Sequence, residues 1–321
     1  MTLAHTPAGP TADPTGQQFA LSSTDGRVTA TIAQVGAALR ALTVDGVDLV
    51  PPYPAGIPTP SASGIVLVPW PNRVRDGRWM QRGVTRQLAV SEPTFGNASH
   101  GLLRYAPYAV DGIRPPATDA VALAARIYPQ TGYPFLLDTR VTYALEADGL
   151  AVTHEITNFG TEDAPVAVGT HPYLFIGGVP TADLTITASG SSRFVVDERK
   201  LPVAEEPVDA ATDLRSGRRV GDLDLDTAFG SLRRDDDGRV RTTLTAPDGR
   251  AVTVWQGDGF DYVQIFTTDR YPGQDLAVAI EPMTAPADAF NSGTSLRWLT
   301  PGETWTLHWG IVLATPGGVG S

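Results

Sequence analysis

The sequence predicts an all-β chain, a large antiparallel β-sandwich, and three observations carry that prediction. Short runs that alternate apolar and polar residues recur along the chain. The dipeptide Asp-Gly, a hairpin-turn signal, occurs eight times between Asp25 and Asp258. No long run free of Gly and Pro places apolar residues at helical spacing. Many short strands with regular turns fold as a sandwich or barrel. No fixed-period repeat and no linker is visible, so one domain at 18–318 is expected behind a flexible tail at 1–17. That tail is rich in Thr, Pro, Gly and Ala, and His5 lies in it.

The strands follow in order. Arg27–Ile32 alternates. Ala41–Val44, Asp45-Gly46 and Val47–Val50 form a hairpin with a primed turn. Val141–Leu145 and Leu150–His154 flank Asp148-Gly149, and Pro247-Asp248-Gly249 turns into Ala251–Trp255. Tyr262–Thr267 and Thr306–Leu313 complete the clear strands. Asp275–Ile280 is an apolar run of strand length that meets Glu281-Pro282. A proline cannot donate to a ladder, so this strand is expected to stop or become an edge at Glu281. Large antiparallel sheets leave one concave face open, and a ligand would sit there.

The chain has 321 residues, 42% of them hydrophobic, enough for a large core. A net charge of −11 argues against a nucleic-acid partner, which needs clustered Lys and Arg. No cysteine is present, so disulfides, thiolate metal sites and cysteine nucleophiles are excluded. The first residues have no signal-peptide pattern, and no stretch reaches membrane-span length. A cytoplasmic protein, monomer or homodimer, with no membrane partner is expected.

Glu281 reads either as a solvent-facing edge carboxylate or as a general base held on a rigid strand. Four further segments break the strand rhythm. Pro69-Trp70-Pro71 ends an apolar strand and presents Asn72 and Arg73, with Trp79 close behind. A rigid Arg fork beside an indole suits a hydroxyl-rich ligand or a carboxylate; otherwise it is a surface turn. Ser99-His100-Gly101 sets one histidine among small residues. His171 ends an apolar strand against Pro172, the same layout as Glu281-Pro282. His154 and His308 sit inside alternating strands and read as structural or outward-facing. Among the alternating acids 222–226, Asp226 precedes Thr227-Ala228-Phe229 and is the one expected to turn inward.

Taken in order, these segments resemble the aldose 1-epimerase (mutarotase) family from about residue 20 to 315. The resemblance implies a β-sandwich with a sugar cleft on its concave face. It implies Asn72 and Arg73 as a sugar-binding pair and His100 and His171 as the two motif histidines. Asp226 and Gln264 would bind hydroxyls, and Glu281 would be the catalytic carboxylate. No cofactor and no metal is implied; the partner is a small aldose. His171 is followed by Pro rather than the Ser of galactose-specific members, and His100 by one Gly rather than two. Glu281-Pro282-Met283-Thr284 resembles the broader bacterial branch.

Anomer exchange opens and recloses the pyranose ring. Glu281 as base and His171 as acid, on opposite sides of the C1–O5 unit, would do this without a cofactor. With unperturbed values near roughly 4.3 and 6.5, the pair implies a bell-shaped pH profile limited below by Glu281 and above by His171. His100 would polarise an oxygen at C1 or C5. Trp70 or Trp79 would stack on the sugar or pack in the core. Arg73, Arg75, Arg78 and Arg104 leave room for an anionic sugar. Three other readings remain at this stage: a metal enzyme on His100, His171 and Glu281, a glycosidase on Glu281 and Asp226, and a non-catalytic sugar-binding module.

Overall fold

The computed structural model describes residues 13–112 and 118–316. Two large sheets face each other. The first has nine strands, in the order Ala109–Val110, Ala120–Ile127, Leu137–Glu146, Gly149–Asn158, Thr304–Ala314, Ala251–Gln256, Val240–Thr245, Thr185–Ala188 and Arg218–Arg219. The second runs Pro202–Pro207, Gly190–Val196, Asp226–Leu232, Tyr262–Thr268, Ala277–Met283, Gly169–Thr170, Val66–Leu67. Tyr173–Leu174 pairs with Ala277–Met283 as well. A four-stranded sheet, Gln18–Ser22 to Val47–Asp48, packs beside them. The strands of all three sheets pair antiparallel.

Period-two patterning decides which side chains meet. Tyr143, Ile156, Trp309 and Ile311 from the first sheet join Val263, Ile265, Val278 and Ile280 from the second in one buried cluster. Each such side chain, withdrawn from water, contributes roughly 1.5–3 kcal/mol. The alternate residues of the second sheet, Asp226, Gln264 and Glu281, therefore lie on its other face, away from the core. Trp70 and Trp79 belong to the core. Trp70 meets Phe290 edge-on at 5.4 Å, and the Trp79 indole donates to the Gly132 carbonyl at 2.8 Å, so neither stacks on a ligand.

The turn signals hold with one exception. Seven of the eight Asp-Gly glycines have positive φ, and Asp45-Gly46 has it at both positions, as a primed turn requires. At Asp148-Gly149 the turn falls one residue earlier. Glu146 pairs with Gly149, which opens the next strand. Glycine is needed there for space, because a Cβ would lie 1.9 Å from the Ile311 carbonyl oxygen.

Two further expectations change. The strand Ala277–Met283 runs through Pro282 and is buried along its length, with neighbours on both sides. The amides of Ile280 and Thr284 donate to the carbonyls of Pro172 and Val168, and Pro282 falls between them. Opposite it the partner strand is broken at His171-Pro172, where the His171 amide turns away to the Ile65 carbonyl. The missing N–H thus costs no ladder bond. The second change concerns the expected tail. Residues 1–12 lie outside those described, but 13–17 pack. Thr15 is fully buried, its carbonyl accepts from Val35, and Asp13 pairs with Arg40 at 3.2 Å. The expected end at 318 also lies outside the described residues. Among the described residues no helix is long and apolar enough to cross a membrane.

Gly101 fixes the segment that carries His100. Its φ is +75°, and an added Cβ would lie 2.1 Å from the Val68 carbonyl oxygen. Gly101→Ala is expected to destabilise the protein by about 2–4 kcal/mol, read by denaturant unfolding. A change within about 0.5 kcal/mol would show that this approach is not tight.

Candidate active site

A cleft of about 940 Å³ opens on the outer face of the second sheet. All seven residues singled out in the sequence line it: Asn72, Arg73, His100, His171, Asp226, Gln264 and Glu281. They arrive from distant segments because the ladders bring them. Asp226 pairs with Phe266 and Gln264 with Glu281 across neighbouring strands. Arg73-Val74 pairs with Ala98-Ser99, and the His100 amide donates to the Asn72 carbonyl at 2.8 Å. His171 enters at the break opposite Pro282.

Glu281 and His171 form the floor. His171 Nε2 lies 3.3 Å from Glu281 Oε1, with both side chains almost fully buried. The two stand side by side rather than across the cleft from each other. Glu281 Oε2 and His171 Nδ1 are buried without a protein partner. Burial pushes the Glu281 carboxyl well above its usual range, and the negative Asp226 adds to this while Arg73 opposes it. Burial also pushes the His171 imidazole down, to about 3. His100 stands edge-on to His171 with ring centres 5.5 Å apart. Withdrawal from water and then the charges of His171, Arg104 and Arg73 hold its imidazole well below the usual value. The Tyr173 ring stacks on His171 at 5.4 Å and fixes its plane.

The wall is a chain of polar contacts. Lys200 Nζ lies 3.3 Å from Asp226 Oδ2, and Gln264 donates to Asp226 Oδ1 at 2.7 Å. Asn72 donates to Gln264 at 3.4 Å, and Arg73 donates to Asn72 at 3.3 Å. Arg73 also makes a two-point pair with Glu92, at 2.7 and 2.9 Å. Its fork is therefore already filled by a protein carboxylate, and only the remaining side faces the cleft. Arg75 pairs with Asp197 and Asp288, and Arg78 bonds Gln87, so neither is a cleft cation. His154 is buried and accepts from the Trp309 indole at 2.9 Å, whereas His308 lies exposed beside Thr153.

Sequence reasoning missed Glu92, Ser61, Tyr105 and Lys200 in the lining. One signal was available for Lys200: it is the chain's single lysine among 24 basic residues. Among the described residues, five of the twelve non-glycine positions with positive φ line the cleft: Ser61, Ala62, Asn72, His100 and Lys200. Such left-handed backbone is costly and concentrates at functional sites. Among the described residues no group of three His, Asp or Glu side chains could hold a metal ion.

Comparison with known proteins gives a consistent result. The model of the family described as aldose 1-epimerase matches residues 19–311. The uncharacterised protein YihR of Escherichia coli strain K12 is 32% identical over 299 residues, covering 92% of this chain and 93% of that one. Among solved structures, a GalM/aldose epimerase homologue from C. elegans superposes with a TM-score of 0.79 at 19% identity, covering 93% and 99% of the two chains. A galactose 1-epimerase from Lactobacillus acidophilus gives 0.77 at 19%, covering 92% and 94%. At these identities the two structures share the fold.

Burying Glu281 costs stability. Its pKa is raised in the fold, so between the ordinary carboxylate value and that raised value the folded state holds the extra proton. Stability is then lost as pH rises through this window. Glu281→Gln is expected to unfold at higher denaturant than the parent at pH 8, by about 0.5–2 kcal/mol. The gap should close toward pH 4. A variant less stable than the parent at pH 8 would contradict this account.

Proposed function

The chain belongs to the aldose 1-epimerase family, and we propose that it interconverts the α and β anomers of a hexopyranose by opening and reclosing the ring in this cleft. The observation that carries the proposal is the 3.3 Å contact of His171 with Glu281 at the floor of an open, polar-walled cleft. Ring opening takes a proton from the C1 hydroxyl and gives one to the ring oxygen. The C1–O5 bond breaks as C1 becomes an aldehyde carbon. Both oxygens are attached to C1, so two groups side by side on one floor can address them together. Neither group has to face the other across the sugar.

Burial disfavours charge on either group, so the pair holds one proton between them. With the proton on His171, Glu281 is the base and His171 the acid. With it on Glu281 the roles exchange, as reclosure on the opposite face requires. Both arrangements contain the same number of protons, and passage across the short contact interconverts them. Rotation about C1–C2 in the open form presents the other face. His100 reaches the same region and polarises an oxygen at C1 or C5. Asn72, Arg73, Asp226 and Gln264 hold the remaining hydroxyls. A wall built to pair hydroxyls discriminates strongly against sugars that lack them.

Polarimetry on freshly dissolved α-glucose and α-galactose tests the activity: faster mutarotation than buffer alone is expected. Glu281→Gln should lower kcat by about 10³-fold or more with sugar affinity largely kept, because it removes proton transfer and leaves the hydroxyl contacts. Retained turnover would reject Glu281. The pH profile of kcat/KM should be a bell with limbs opposite to those of an unburied pair. On the acid side activity falls when His171 takes a second proton, near the depressed value of about 3. On the alkaline side it falls when Glu281 loses the last one, above the ordinary carboxylate range. An acid limb centred near 6.5, the ordinary imidazole value, would overturn the shared-proton account.

A further inference from the structure

Arg104 stands out among the charges of the cleft. Arg73 is neutralised by Glu92 and Lys200 by Asp226, while Arg270, which also lines the cleft without a carboxylate partner among the described residues, is exposed to water. Arg104 lines the same cleft and pairs with no carboxylate among the described residues. Its Nε is buried and makes no hydrogen bond. Its guanidinium lies 4.6 Å over the ring of Tyr105, a side chain 70% exposed at the mouth. The backbone beneath it is pinned: Ala106 donates to the Leu103 carbonyl, Gly36 to Ala106, and Tyr108 to Gln34. It lines the cleft together with His100 and His171, and its charge disfavours protonation of both imidazoles. Of the cleft's other acids, Asp224 and Asp269 are exposed, where water screens them.

A half-dry guanidinium without a counter-charge is costly unless a ligand completes it. The cleft, about 940 Å³, is roomier than one hexose needs and has space for a substituent. We propose that the substrate is an acidic aldopyranose, whose carboxylate, phosphate or sulfonate oxygens pair with the Arg104 guanidinium. The sugar part of this assignment rests on the anomerase reading above. An oxyanion offers the planar fork two acceptors, which a neutral hydroxymethyl group cannot.

The test is calorimetric binding to the full chain of glucose, glucuronate, glucose 6-phosphate and 6-deoxy-6-sulfonatoglucose. At least one acidic sugar should bind about tenfold or more tighter than glucose, and the gap should narrow as salt is raised. The three acidic sugars distinguish which oxyanion fits. Arg104→Gln should bring the ratio to within about threefold, and Arg104→Lys should keep part of it. Glucose binding as tightly as all three, or a preference that survives Arg104→Gln, overturns the proposal. Should Arg104→Gln fail to fold by thermal melting, the parent's affinity ratio and its salt dependence decide. Anomer exchange followed by NMR in the same samples separates the two readings. Acid preference without turnover of any sugar would overturn the isomerase reading alone. Glucose turnover without acid preference would overturn the Arg104 assignment alone.

Discussion

A carboxyl group and an imidazole, both almost fully buried, meet at 3.3 Å on the floor of the cleft, and the strands around them hold that contact. Glu281 sits on a strand buried at every position, so its backbone has almost no freedom to move. His171 comes from the break in the neighbouring strand, and Tyr173 braces its ring. Pro282 is tolerated in the sheet only because that break is there. The interruption that brings the histidine in thus also removes the need for the missing amide. Two features that look like separate irregularities in the chain are one arrangement in space.

The wall around this pair is built so that few of its groups need to reorganise. The contacts running from Lys200 through Asp226, Gln264, Asn72 and Arg73 to Glu92 tie five separate segments together. Donors and acceptors held in place before a ligand arrives stabilise developing charge without a further reorganisation cost. The cost of that readiness is met by the core beneath. Its two sheets bury the alternate residues of the same strands that display the polar ones.

Much of this was legible in the chain and some of it could not be. Strand rhythm and Asp-Gly turns are local signals, and they located the hairpins to within a residue. The ordered motifs named Asn72, Arg73, His100, His171, Asp226, Gln264 and Glu281, and the sheet ladders bring all seven to one cleft. Partnerships between distant segments leave no local trace. Glu92 closes the Arg73 fork from 19 residues away, and nothing around Glu92 announces it. Proline rules are written for an intact ladder, so the reading of Pro282 failed where the neighbouring strand was interrupted. The packing of Thr15 was hidden in the same way, since its partners lie at Val35 and Arg40.

The left-handed backbone at Ser61, Ala62, Asn72 and His100 bears on how such a protein can change over time. Glycine would relieve the backbone at each of these positions, at the loss of the side chain that lines the cleft. A lineage under heat stress, or a laboratory campaign that rewards only melting temperature, is drawn toward those replacements. Where that relief outweighs the lost contacts, its products would melt later while their pockets lost definition. Strain of this kind therefore records past selection for work over endurance.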